Sequence, residues 1–175
     1  PQGKMDLIED FAFRLPVTII CEMLGIPEDH REVFYNSSRD GGRLLDPVPM
    51  SPAEIAKGNS ANVMAQMYFQ QLFELRRRTP GDDLITQLVQ AEEDGNKLTN
   101  EELTANIILL FGAGHETTVN LIGNGLLALH RNPDQLALLK ARPELMEGAI
   151  EEFLRYDSSV QMTGRVALED IEDLG

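Results

Sequence analysis

The stretch FGAGHETT, Phe111 to Thr118, lies inside a longer run whose capping and apolar spacing predict one helix from Thr99 to His130. Interior glycines cost roughly 0.5–1 kcal/mol each relative to alanine, so Gly112 and Gly114 in one turn need a reason. A patch of Gly112, Ala113 and Gly114 lets something flat or close reach the backbone. Next come an acid, Glu116, and an alcohol, Thr117, whose hydroxyl can bond to a carbonyl one turn back and widen the helix. Two readings stand on these residues: a functional notch rimmed by a proton-carrying pair, or a site where another helix packs tightly.

Around this stretch the pattern is helical. Thr99 and Glu102 form a capping box, and continued to His130 the helix would be roughly 45–50 Å long. Its middle is apolar all round, which predicts burial on every side. Upstream, Met5–Phe13 is a short apolar start of strand or helix, and Leu15–Gly25 a buried helix closed by Gly25. An amphipathic helix from Pro27 to Asp40 leads to a glycine- and proline-rich loop, Gly41–Pro52. Ser51, Pro52 and Glu54 cap a long helix ending at Thr79-Pro80-Gly81, with Met64, Met67, Tyr68, Gln71 and Leu72 as its apolar stripe. Those methionines read as core filler, and their pliability would also suit a face that adapts to ligands. Asp82–Glu93 is a shorter helix closed by the turn Asp94–Asn96. Downstream, Asn132-Pro133-Asp134 caps a helix, Pro143 starts another ending near Tyr156, and alternation at Val160, Met162, Val166, Leu168 and Ile171 predicts a strand.

Composition excludes several classes. The 175 residues suffice for one domain with a core, and a formal charge of −14 disfavours nucleic acid and anionic lipid. No apolar run reaches the ~20 residues that span a bilayer, so no membrane partner is expected. Cys21, alone in VTIICEML, reads as a reduced, buried thiol in a cytoplasmic protein. His115-Glu116 lacks a second zinc-protease histidine, since Val119 stands there, and His30, His115 and His130 have no ligand spacing. Glu152 and Arg155 share one helix face, and Arg165 is a cation in an apolar stretch, suited to an anion or a nearby acid. Neither end reads as finished, so residues 1–175 are expected to form one domain segment incomplete at both ends.

Together these elements resemble the cytochrome P450 family of haem-thiolate monooxygenases, in its soluble bacterial form. Ala113-Gly114-His115-Glu116-Thr117-Thr118 matches the family's distal-helix motif, Glu152-Phe153-Leu154-Arg155 its Glu-x-x-Arg helix, and Thr163-Gly164-Arg165-Val166 the strand whose arginine meets a haem propionate. Leu15–His30 is similar to the helix and turn before the substrate-covering helices. The resemblance covers nearly the whole chain and implies a mainly α fold with minor β-strands. It does not extend to the family's Phe-x-x-Gly-x-x-x-Cys-x-Gly loop, so no metal ligand is expected here, and Cys21 is no substitute.

The resemblance implies haem b, with O2 as co-substrate and electrons from NAD(P)H through a separate ferredoxin or flavoprotein reductase. The substrate would be an apolar small molecule, hydroxylated or epoxidised, and this segment alone would be inactive. Glu116 and Thr117 would be catalytic, Thr117 hydrogen-bonding the bound oxygen and Glu116 relaying protons. Leu109, Leu110, Ala113, Gly114, Thr117 and Arg165 would meet the cofactor. Leu109, Ala113, Val160 and Thr163 would line the substrate pocket, while Glu152 and Arg155 would be structural and the loop Gly41–Pro52 a lid. His115 holds the motif's free position and receives no role; Ser159 stands where many bacterial members have proline. The rival is a non-enzymatic helical ligand-binding domain, which leaves Glu116 beside Thr117 unexplained.

Overall fold

A computed structural model describes residues 3–32, 48–93 and 98–169. Among them the chain is helical, and it divides into two compact units, Pro1–Gly123 and Asn124–Gly175. The helix expected over Pro27–Asp40 is described only from its first turn, Glu28–His30, to Glu32. The rest of it, most of the Gly41–Pro52 loop, the Asp94–Asn96 turn and Ile171 lie outside the described residues.

In the first unit the chain enters through Asp6, whose carboxylate accepts from the backbone N–H groups of Ile8 and Glu9 at 3.0 and 3.1 Å. A π-helical turn follows over Ile8–Ala12, closed by Phe13 N–H to Ile8 C=O at 2.8 Å, so Met5–Phe13 resolves as a helix start. Helix α1, Arg14–Met23, buries Val17, Ile20 and Cys21. It ends at Gly25, which takes φ +67°, a left-handed value that glycine adopts without a Cβ clash. The N–H groups of Ile26 and Gly25 then reach back to Cys21 and Glu22 C=O at 2.8 and 3.1 Å, the reciprocal closure of a Schellman stop.

Helix α2, Pro52–Arg78, begins with the expected box: Glu54 N–H on Ser51 Oγ at 3.3 Å, and Ser51 N–H on the Glu54 carboxylate at 2.9 Å. Its buried stripe differs from the expectation. Phe69, Leu72 and Phe73 enter the core, whereas Met64 and Met67 are 61% and 58% exposed. Met67 and Phe69 lie about 200° apart around the helix. The larger, stiffer aromatic surface takes the core side and turns the methionines outward.

Helix α3, Leu84–Glu93, is capped by Asp83, which accepts from Thr86 N–H at 2.8 Å. The other oxygen of Asp83 takes the Arg76 Nε proton at 2.6 Å, and Arg76 Nη2 donates to Gly25 C=O at 2.8 Å. One guanidinium therefore joins the ends of α1 and α2 to the start of α3. Both partners are buried, with side chains 16% and 5% exposed, and a Cβ at Gly25 would collide with the Asp83 carboxylate.

Helix α4, Asn100–Arg131, opens with Thr99 and Glu102 bonded reciprocally at 2.9 and 3.2 Å. The expected burial on every side is corrected here. Leu103, Ile107, Phe111, His115 and Val119, each four residues on, form one buried edge, while Leu109 and Leu110 on the other side are 57% and 38% exposed. The two glycines fall on different sides. A Cβ at Gly114 would lie 3.0 Å from Ile20 Cδ1 of α1, whereas one at Gly112 would meet nothing within 4 Å.

In the second unit the end of α4 meets α5, Pro133–Ala141, and α6, Met146–Tyr156, joined by a tight turn over Pro143–Leu145. A Cβ at Gly125 would stand 2.9 Å from the Phe153 ring, and Asn124 Nδ2 caps α6 on Asp157 C=O at 3.1 Å. Asn132 precedes α5 as expected, but its side chain turns back to Ala128 C=O at 2.9 Å and caps nothing. The strand expected after Tyr156 is absent among the described residues, where 157–169 form neither helix nor strand. Alternating side chains do not make a strand without a second one to accept its N–H groups.

Two stability outcomes follow. Asp83→Ala leaves Arg76 buried without its carboxylate and should cost about 3 kcal/mol or more in urea denaturation, whereas Glu144→Ala, at the exposed Arg142 pair, should leave the midpoint unchanged. Gly112→Ala should raise stability by about 0.5–1 kcal/mol; Gly114→Ala should gain less or lose, and combined with Ile20→Val should exceed the sum of the two single changes.

Candidate functional site

The exposed side of α4 gathers the residues singled out by the sequence. Leu109, Ala113 and Thr117 recur every four residues, and Leu110, Gly112 and Glu116 flank them within the same open arc. Leu109 and Ala113 are exposed, and Gly112, Glu116 and Thr117 are half-buried. Thr117 Oγ1 donates to Ala113 C=O at 2.7 Å, and Thr118 Oγ1 to Gly114 C=O at 2.9 Å. The back-bonding expected of Thr117 is thus present, but the expected widening is not, since α4 stays α-helical throughout. Glu116, half-buried, is the neighbour of Thr117 in the chain at the end of this arc. The arc presents an apolar floor with one hydroxyl and one carboxyl group at its end.

Gly114 belongs elsewhere. Ile20 of α1 fills the space its missing side chain leaves, so the expected single patch separates into a packing glycine and an open one, Gly112. The structure therefore gives Gly114 a packing contact with α1.

His115 received no role from the sequence, yet it is among the most buried residues, at 2% exposure. Its Nε2 lies 3.1 Å from Phe13 C=O, and the two rings meet edge to face at 4.6 Å and 79°. The signal was available in the four-residue register Leu103, Ile107, Phe111, His115, Val119, on which the histidine falls.

In the second unit Arg155 grips Glu152 through two hydrogen bonds of 2.7 Å, a forked pair in the open. Those bonds hold the Glu152 carboxyl below its ordinary 4.5. An apolar cleft of about 450 Å³ lies beside them, lined by Leu129, Leu138, Leu145, Ala149, Phe153 and Tyr156. Val160, Thr163 and Arg165 are exposed. Arg165 Nη1 donates to Gly164 C=O at 2.8 Å and, among the described residues, pairs with no carboxylate, so its charge is available to an anion.

Cys21 is the expected buried thiol. It is fully enclosed in the core, and burial pushes it up to about 11, which opposes the thiolate form that metals take. Among the described residues no three His, Cys, Asp or Glu cluster to hold a metal ion, and no helix is long and apolar enough to cross a membrane.

Comparison with known proteins identifies the family. The cytochrome P450 family profile matches residues 32–141. The chain is 47% identical over 169 residues to cytochrome P450 133B1 of Xylella fastidiosa (strain 9a5c), covering 97% of this chain and 42% of that protein. It is 44% identical over 171 residues to the vitamin D(3) 25-hydroxylase of Pseudonocardia autotrophica, covering 97% and 40%. Among solved structures, P450BioI in complex with an acyl carrier protein carrying hexadec-9Z-enoic acid superposes with a TM-score of 0.91 at 42% identity, covering 99% of this chain and 45% of that one. The chain thus spans less than half the length of these relatives, and it belongs to the cytochrome P450 family.

Proposed function

We propose that the protein to which these residues belong is a haem-dependent monooxygenase that inserts one atom of O2 into an apolar small molecule, with this chain supplying its oxygen-activating helix. The observation that carries the proposal is the open arc of α4, where Thr117 and Glu116 stand at the end of an apolar floor of Leu109, Leu110 and Ala113. Buried or half-buried carboxyl groups in apolar surroundings are retained for a partner or a task, and here a hydroxyl lies next in sequence.

The residues present fit one side of a haem. The arc is apolar and open at Gly112, as a flat hydrophobic group requires, while Cys21 is enclosed and protonated and does not fit as a ligand to iron. That ligand then comes from outside this chain, and residues 1–175 by themselves are inactive. Haem, when bound, supplies the iron at which O2 is reduced and cleaved. Leu109, Leu110 and Ala113 exclude water from that side and shape the space for substrate. Thr117 holds a proton at Oγ1, shared with Ala113 C=O, that it can turn outward. Glu116 restores that proton from solvent. Arg165, which pairs with no carboxylate among the described residues, offers its guanidinium to a carboxylate such as a haem propionate, Val160 and Thr163 contact substrate, and the Glu152–Arg155 fork is structural. Electrons reach the protein from NAD(P)H through a ferredoxin or flavoprotein, and a cytoplasmic location suits these partners. The rival ligand-binding domain leaves Glu116 beside Thr117 on the open arc without a task.

In the haem-loaded protein, carbon monoxide added after reduction should give the long-wavelength band of thiolate-ligated iron. Thr117→Ala should keep that band and lower product formed per O2 consumed by roughly tenfold or more, with hydrogen peroxide appearing instead. Unchanged coupling in this variant would remove Thr117 from the chemistry.

A further inference from the structure

We infer that His115 is a positioning residue: its bond to the Phe13 carbonyl sets the rotation of α4 and thereby where Glu116 and Thr117 project. The inference rests on the monooxygenase reading for its consequence, though not for its geometry.

A carbonyl oxygen only accepts, so His115 Nε2 carries the proton across the 3.1 Å to Phe13. Phe13 is well suited as a fixed point, because it closes the π-helical turn through its N–H to Ile8 and begins α1. Its ring also meets the imidazole edge to face. Phe111 and Val119 are buried one turn on either side of the histidine, and Ile20 fills the side-chain space of Gly114 beside it. The apolar contacts resist separation of α4 from α1 but tolerate small rotations. A buried hydrogen bond is directional and opposes them.

Glu116 and Thr117 are the next two residues, about 100° and 200° further round, so the tie and the reacting groups share one rigid turn. At a side-chain radius of about 5 Å, a rotation of about 12° moves the Thr117 hydroxyl by about 1 Å. A displacement of that size is enough to change a rate by an order of magnitude or more. An apolar residue of the same size at position 115 would fill the space and leave the rotation loosely set.

Nitrogen NMR of the haem-loaded protein should show His115 protonated at Nε2, with a slowly exchanging proton; a ring protonated at Nδ1 alone overturns the tie whatever the activity. His115→Leu should retain the carbon monoxide band and release roughly tenfold more hydrogen peroxide per O2 consumed. His115→Gln, which keeps an N–H within reach, should restore most of the coupling. In the Thr117→Ala background, His115→Leu should add no further loss. Unchanged coupling in His115→Leu, or a full additional loss in the Thr117→Ala background, overturns the role. Should His115→Leu not load haem, Gln is compared with the shorter Asn: coupled Gln with uncoupled Asn supports the tie, and equal behaviour overturns it. A wild-type protein without the thiolate-type band would instead defeat the monooxygenase reading and leave the NMR result standing.

Discussion

A helix packed on one side and open on the other has its rotation set by the packed side, and in α4 that side is the register Leu103, Ile107, Phe111, His115 and Val119. With these five held against the first unit, Leu109, Ala113 and Thr117 necessarily face away from it. The site residues therefore owe their placement to neighbours that never touch the open arc. Four of the five are apolar and contribute burial, each on the order of 1.5–3 kcal/mol. The fifth is polar and contributes direction.

The glycines of FGAGHETT show how one local motif can serve two demands. Gly114 is small because Ile20 occupies its side-chain space, whereas a Cβ at Gly112 would meet nothing within 4 Å among the described residues. The propensity cost is the same at both positions. At Gly114 it is offset by the close approach of α1; at Gly112 no contact within the first unit offsets it. A residue that weakens its helix and gains no packing among the described residues accords with the proposed fit of a flat group on that side. Gly112 thus separates the two readings of the motif more sharply than Glu116 or Thr117, because both of those can form bonds within the helix.

What was legible in the sequence was what local chemistry decides. The boxes at Ser51–Glu54 and Thr99–Glu102 and the glycine stop at Gly25 appear as read, since each depends on residues within one turn. The motif residues of α4 share a face because a fixed helical period puts them there. What failed depended on partners distant in sequence. Hydrophobicity marked Met64 and Met67 as buried, but only the competition with Phe69 and Phe73 decides which side of α2 turns inward. An all-apolar α4 was read as enclosed, although its first unit covers one edge of it, and the chain spans less than half the length of its relatives. The alternation after Tyr156 needed a second strand, and none lies among the described residues. His115 was passed over because its motif position is free, whereas its role comes from Phe13, 102 residues away.

Stability and chemistry are also kept apart within the first unit. The Arg76–Asp83 pair, the Gly25 stop and the aromatic stripe of α2 involve no residue of the open arc. Their burial is substantial: Phe69 and Phe73 are essentially enclosed, and the ion pair satisfies a cap and a helix-terminal carbonyl at once. α4 can then carry two glycines and a half-buried acid in the turns around His115 without its fold resting on them. Under the proposed function the arc is free to be selected for what it does to a bound group, and the tie at His115 is where the two demands meet, since the same imidazole is part of the packed edge and lies next to Glu116 in the chain. A substitution there is felt on both sides of the helix, which no other position on the buried edge combines with a directional bond to the backbone of another element.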